Sequence, residues 1–263
     1  MRALLMFQSL VIVGLGNYTH PLTRHSVGQV LLKNLAHVAA SSPNATGSPH
    51  LTLSKSGRHA SWTTRILLNS NDPTRDPLEL LFILPKALMN VSGPTVVAAA
   101  DGFLPPIVAR TTSREPPVLP TPPTSLSPTD DEMASPLKSE AAPARRKKTK
   151  EPVAPLKPMY RLITIQDDLD LAPSQLKAQR GGGPRGHNGL RSLFGALGGS
   201  RDFHRLWVGI GRPDDRSKVA GYVLSPLGRD EVRACEWDED GRRAGQVLEK
   251  AWNEVMRIGY EED

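Results

Sequence analysis

The chain has 263 residues, 38% of them hydrophobic and 23% charged, which is enough for one large globular domain or two small ones. A single cysteine, Cys235, excludes an intrachain disulfide, and no apolar run approaches the ~20 residues that a membrane-spanning helix needs. The formal net charge of +6 favours polyanionic partners.

The first hundred residues predict strands that alternate with helices. Residues 9–15 are β-branched and apolar, which is typical of a strand buried on both faces. Residues 26–39 carry an apolar stripe with helical spacing. The predicted elements are a strand at 9–15, a helix at 26–39, a turn-rich loop at 41–49, strands at 62–68 and 78–84, and a short helix at 89–103.

A Pro-rich segment then interrupts this pattern. Residues 105–158 hold 13 of the 24 prolines, together with Ser/Thr clusters and a basic run at 145–150. Such a composition cannot bury enough apolar area to offset its chain entropy, so we predict a disordered insertion. We interpret the basic run as a solvated patch, with a nuclear signal or an extra RNA contact as alternatives. The predicted domain therefore consists of residues 1–104 and 159–263.

Order is predicted to resume after the insertion. Strands are predicted at 160–165, 175–179 and 206–210, and a helical region at 228–259 with a break near residues 240–241. Strands alternating with helical segments indicate an α/β fold class with a single domain.

The stretch from Gln179 to Gly199 is rich in glycine. Five glycines between residues 181 and 189 surround Arg185, His187 and Asn188, and an apolar pattern with helical spacing follows them. This favours a loop that meets a ligand and leads into a helix N-terminus, where free N–H groups attract phosphate. An ordinary Gly-rich surface turn is the alternative.

Basic residues concentrate around the same stretch. Between Lys177 and Lys218 there are nine lysines and arginines against three aspartates, and nine minus three gives this window a charge of +6. A cationic surface beside a phosphate-binding loop is typical of nucleic-acid binding. A solvated basic face without a partner is the alternative.

Polar clusters follow the predicted strands, and these positions gather ligands in α/β sheets. The clusters are Gly14–Asn17 with Thr23–Ser26, Met89-Asn90, Gln166–Asp170, and His187-Asn188. A dinucleotide fingerprint is excluded because Thr19 stands where its third glycine belongs, and no histidine or cysteine spacing predicts zinc. A histidine, a carboxylate and several amides suit ester hydrolysis without a metal. Each residue taken alone could equally be a helix cap or a loop bridge.

These motifs together resemble the bacterial-type peptidyl-tRNA hydrolase family. The matching segments occur in the family's order: IVGLGN, TRHSVG, LPKALMNVSG, QDDLDL, GGGPRGHNGL and FHRLWVGIGRP. The resemblance implies a monomeric α/β fold with a mixed, twisted sheet flanked by helices. It also implies hydrolysis of the ester between a peptide and the 3′ ribose of tRNA, which frees tRNA from stalled translation, with no cofactor and no metal.

The resemblance also implies roles for individual residues. His25 would be the general base on water, and Asp167 would orient and polarise it. Substrate would be held by Asn17, Met89, Asn90, His187 and Asn188, and tRNA phosphates by Lys177, Arg180, Arg185 and Arg191. The sequence departs from the family at Ser26, which replaces the usual asparagine, at Pro184-Arg185 in the Gly-rich loop, and in a shortened segment between Asn17 and His25.

Two other functions remain open at this point. The chain could be a non-catalytic RNA-binding relative that keeps the fold and the basic face, although a pure binder has no need of a histidine–carboxylate pair. It could also be a general esterase, which the basic window disfavours. The predicted location is the cytoplasm or mitochondria: residues 1–71 contain no acidic side chain, as in organelle-targeting segments, but the first strand leaves little room for a cleavable presequence.

Overall fold

A computed structural model describes residues 8–70, 75–103, 161–237 and 245–261, all of which belong to one compact unit. The predicted insertion at 105–158 and the predicted helix break at 240–241 lie outside the described residues. The described strands are β1 (Gln8–Gly14), β2 (Ala45–Gly47), β3 (Thr52–Ser56), β4 (His59–Leu68), β5 (Leu78–Pro85), β6 (Arg161–Asp168), β7 (Leu176–Arg180) and β8 (His204–Gly209). The described α-helices are α1 (Val27–Ala40), α2 (Ser92–Phe103), α3 (Asn188–Ala196), α4 (Val219–Val223), α5 (Arg229–Cys235) and α6 (Gln246–Gly259).

The strands form one mixed sheet in the order β2-β4-β5-β1-β6-β8-β7, with β3 paired to β4 outside this path. The four central strands β5, β1, β6 and β8 run parallel, and the strands at both sides pair antiparallel to them. The mixed sheet and its flanking helices confirm the predicted fold class.

Helices cover both faces of this sheet. Leu10 and Ile12 of β1 point into one apolar cluster with α1, α5 and α6, whereas Val11 and Val13 point into a second cluster with α2 and α3. The alternation explains why β1 is an uninterrupted apolar run, since both of its faces are buried. Among the described residues, no helix is long and apolar enough to cross a membrane.

Two sequence predictions needed correction. The loop predicted at 41–49 contains the short strand β2, and β3 was missed because its exposed, polar residues carry no clear alternation. The strand predicted to end at Ile165 continues to Asp168, because β8 pairs with it in register up to Asp168 and Gly209. The helical region predicted at 228–259 with a break near 240–241 contains two helices, α5 and α6, which lie on either side of the predicted break.

Candidate active site

The carboxyl ends of β1 and β6 lie at one edge of the sheet, where the chain after β1 turns back into α1. A one-turn 3-10 helix, Arg24–Ser26, starts this return and carries His25. The Ser26 hydroxyl accepts a hydrogen bond from the backbone N–H of Asn17 at 3.0 Å and donates one to the backbone carbonyl of His20 at 2.9 Å. The departure from the family pattern at Ser26 therefore supplies a buried hydroxyl that closes the short loop between Asn17 and His25.

Asp167 at the end of β6 is buried between two histidines. Its Oδ1 lies 2.7 Å from Nδ1 of His25 and 3.1 Å from Nε2 of His187. An ionised carboxylate only accepts hydrogen bonds, so each of these two nitrogens carries the hydrogen. Nδ1 of His187 accepts the Leu190 amide at 3.3 Å, which leaves Nε2 as the protonated nitrogen of that ring. Nε2 of His25 is then the lone-pair nitrogen of the partly exposed ring.

The same contacts shift the pKa values of this pair. Burial alone would raise the pKa of Asp167, but the attraction and hydrogen bonds of His187 and His25 outweigh it and hold that pKa far below its usual range. Burial alone would lower the pKa of His25, but the hydrogen bond and negative charge of Asp167 raise it above 6.5. The arrangement is thus an ionised carboxylate that strengthens a neighbouring imidazole as a base.

His25, Asp167 and His187 are also the kinds of residue that hold a metal, and their potential ligand atoms lie within 4.8 Å of one another. Two atoms bound to one zinc ion at about 2.1 Å each are ordinarily about 3 Å or more apart. The 2.7 Å separation between His25 and Asp167 is that of a direct hydrogen bond. The observed arrangement therefore suits proton transfer better than a resident metal.

The other predicted substrate-binding residues differ in their burial and in their contacts. Met89 is buried, and Gly189 brings it against His187: a Cβ atom at residue 189 would lie 2.7 Å from the Met89 sulfur and 3.0 Å from the His187 ring. Asn90 and Asn188 follow these two residues in the chain and are exposed. The Oδ1 atom of Asn17 is buried and has no hydrogen-bond partner within the described part of the protein. A buried polar atom without a partner costs free energy unless a ligand pairs with it.

The Gly-rich loop between β7 and α3 differs in one respect from the predicted anion-binding loop. His187 itself caps the N-terminus of α3, because its Nδ1 accepts the Leu190 amide. The loop rests on Arg205, which is fully buried and donates to the carbonyls of Gly182 at 2.9 Å and Gly183 at 3.1 Å. One of the nine basic residues in the window is therefore a structural support beneath the loop.

The predicted tRNA-binding residues differ in what they contact. Lys177 and Arg191 are exposed, and Arg191 donates only to the neutral side chain of Asn188 among the hydrogen bonds described. Arg180 forms an ion pair with Asp202 at 2.9 Å. Arg185 forms ion pairs with Asp168 at the end of β6 and with Asp170 in the β6–β7 connection. The surface charge of this region is consequently lower than the count of residues indicates.

Sequence reasoning missed two residues that shape the site. Arg24, next to His25, donates to the Ser225 hydroxyl and the Pro226 carbonyl at 2.7 Å each and pairs with Glu231 at 3.0 Å. Arg205 was counted only as surface charge. The available signal was that Arg205 lies between Phe203 and the apolar residues of β8. In a strand that is buried on both faces, every side chain lies in the interior, whichever face it points to.

The fold and this site define an α/β protein with a hydrogen-bonded histidine–carboxylate pair where the parallel strands of a mixed sheet end. A sequence model of the family described as peptidyl-tRNA hydrolase matches residues 151–257. The peptidyl-tRNA hydrolase of Teredinibacter turnerae is 29% identical over 251 residues, 94% of each chain, and that of Pseudomonas savastanoi is 44% identical over 102 residues, 38% of this chain and 53% of its own. The crystal structure of the peptidyl-tRNA hydrolase from Acinetobacter baumannii shares the fold, with a TM-score of 0.53, 21% identity and coverage of 96% of this chain and 88% of that chain.

The chain is therefore similar to peptidyl-tRNA hydrolases along most of its length, in agreement with the resemblance of its motifs.

Proposed function

We propose that this protein acts as a monomer to hydrolyse the ester bond of peptidyl-tRNA, and that His25 is the general base. The observation that carries the proposal is the hydrogen bond between His25 Nδ1 and the buried Asp167 carboxylate. This hydrogen bond leaves the lone pair on Nε2 of the partly exposed imidazole. The similarity to the curated relatives supports the substrate, since they share the name peptidyl-tRNA hydrolase.

In the proposed reaction, Nε2 of His25 removes a proton from a water molecule while the water oxygen attacks the ester carbonyl carbon. The negative charge of Asp167 stabilises the imidazolium that forms. The tetrahedral intermediate then collapses, the bond to the ribose oxygen breaks, and His25 returns the proton to that oxygen. The products are a free peptide carboxylic acid and free tRNA, so the enzyme ends in its starting protonation state.

The amides around the trio would hold the acyl end of the substrate. The buried, unpartnered Oδ1 of Asn17 could accept a peptide N–H, and the exposed side chains of Asn90 and Asn188 could donate to the developing oxyanion. Met89 and His187 would form the apolar and aromatic wall beside them. These amides would introduce no net charge beside the catalytic pair.

The basic surface would receive the tRNA. Lys177 and Arg191 are exposed and would contact phosphates, whereas Arg180 already pairs with Asp202. Because α3 begins directly after His187 and carries Arg191 in its first turn, a tRNA end bound there would lie next to the proposed acid–base pair. Each phosphate contact of this kind should appear in the salt dependence of binding.

The direct test is hydrolysis of an N-acetylated aminoacyl-tRNA by the purified protein and by two histidine variants. His25→Ala should lose at least ~100-fold in kcat, the lower range for removal of a general base, while tRNA binding persists. His37→Ala is the matched control, because His37 is exposed on α1 and contacts the ring of His50. A near-normal rate for His25→Ala would refute the assignment of the base.

A further inference from the structure

The Gly-rich loop adopts a backbone conformation that suits glycine, yet one of its positions is an arginine. Gly181, Gly182 and Gly186 all have positive φ, and so does Arg185, with φ of 45°. The left-handed region costs a residue with a Cβ about 1–2 kcal/mol, and such a residue persists where its surroundings hold it. Glycine at position 185 would avoid this cost, so contacts of the arginine side chain must offset it.

Those contacts join the loop to the end of β6. Nη1 of Arg185 donates to Oδ2 of Asp168 at 2.7 Å, and Nη2 donates to Oδ2 of Asp170 at 3.0 Å. The guanidinium also lies over the ring of Trp207, 5.2 Å from its centroid. Asp168 is only 6% exposed, so the first of these ion pairs is well shielded from water and salt.

Both partners of the Arg185–Asp168 ion pair are close in the sequence to members of the acid–base trio. Asp168 follows Asp167 directly, and His187 comes two residues after Arg185. The loop is therefore bound to two consecutive residues of β6, by Arg185 on Asp168 and by His187 on Asp167. If the contact between Arg185 and Asp168 were lost, the hydrogen bond between His187 and Asp167 would remain to hold the C-terminal end of the loop against β6.

We propose that Arg185 is a positioning residue, which holds His187 and Asn188 over the reaction site by tying the Gly-rich loop to Asp168. The proposal rests on the peptidyl-tRNA hydrolysis proposed above. It assigns Arg185 a role different from the phosphate contact that the family resemblance implies. Both terminal nitrogens of its guanidinium already bind carboxylates, whereas exposed Arg191 binds a neutral amide.

The test compares Arg185→Gly and Arg185→Lys in steady-state hydrolysis of an N-acetylated aminoacyl-tRNA. Arg185→Gly removes the attachment and the backbone strain together, and kcat should fall by ~10- to ~100-fold, the effect of about 1 Å of misplacement at a reaction site. KM and its salt dependence should stay within about twofold, because no phosphate contact is lost. Arg185→Lys should recover part of kcat, since an ammonium can reach Asp168 but cannot bridge both carboxylates.

Two further variants separate this role from the alternatives. Arg191→Gln should show the opposite pattern, with a raised KM, a salt slope smaller by about 1 and an unchanged kcat. Asp168→Asn combined with Arg185→Gly should lose no more kcat than Arg185→Gly alone, because both changes break one attachment. The positioning role is overturned if Arg185→Gly keeps its kcat, or if it raises KM and flattens the salt dependence as Arg191→Gln does. A wild-type protein without turnover would instead overturn the proposed function itself.

Discussion

Replacement of Asp167 by asparagine should remove most of the activity while it preserves the shape of the site. The asparagine oxygen can still accept from Nδ1 of His25 and Nε2 of His187, so the tautomers should persist. What this variant loses is then the negative charge that stabilises the His25 imidazolium. Two unit charges about 4 Å apart at an effective dielectric constant of about 20 attract by about 4 kcal/mol. That figure corresponds to a loss of about three powers of ten in kcat/KM.

The assay is kcat/KM for an N-acetylated aminoacyl-tRNA across a pH series. Without the carboxylate, burial alone should hold the pKa of His25 below 6.5, so the acid limb of the Asp167→Asn profile should move to lower pH. Asp101→Asn is the control, because Asp101 is an exposed aspartate near the C-terminal end of α2, whereas Met89 and Asn90 precede the N-terminal end of this helix. A loss below tenfold with an unmoved acid limb would refute the charge argument.

Three other predictions follow from the same site and its supports. In the wild type, the base must be neutral, so kcat/KM should fall as the pH drops through a His25 pKa that lies above 6.5. Gly189→Ala should reduce kcat by ~10-fold or more, because the new methyl carbon would lie 2.7 Å from the Met89 sulfur and would displace it. Steady-state kinetics should show this loss at every pH. Gly28→Ala should lower the free energy of unfolding by ~1–3 kcal/mol in urea titration, since its methyl group would collide with the carbonyl of Ile165.

A matched glycine serves as control for both alanine variants. Gly195 lies in α3 with ordinary helical backbone, and a Cβ atom there would meet no heavy atom within 4 Å. Gly195→Ala should therefore keep full activity and gain up to about 1 kcal/mol of stability from helix propensity. If Gly195→Ala and Gly189→Ala lose the same activity, the close approach of Met89 and His187 is not the cause.

Local pattern was sufficient for the elements with strong periodicity. The apolar run of β1 and the stripe of α1 were predicted within one or two residues of their observed bounds, because burial dictates their composition. The weakly patterned β3 was missed, and β6 was predicted too short because its last residues are polar. Asp167 and Asp168 belong to the strand since pairing with β8, and not their own propensity, extends it.

By itself, the sequence indicated the resemblance to peptidyl-tRNA hydrolases, the α/β class and His25 and Asp167 as a candidate pair, because ordered motifs and strand ends are local features. Only the tertiary structure decided which charges remain available. Arg205 is buried beneath the Gly-rich loop, Arg185 is bound to Asp168, and His187 shares the Asp167 oxygen with His25. Pairing of charges depends on distances between residues that are far apart in the chain, and no count along the sequence contains those distances.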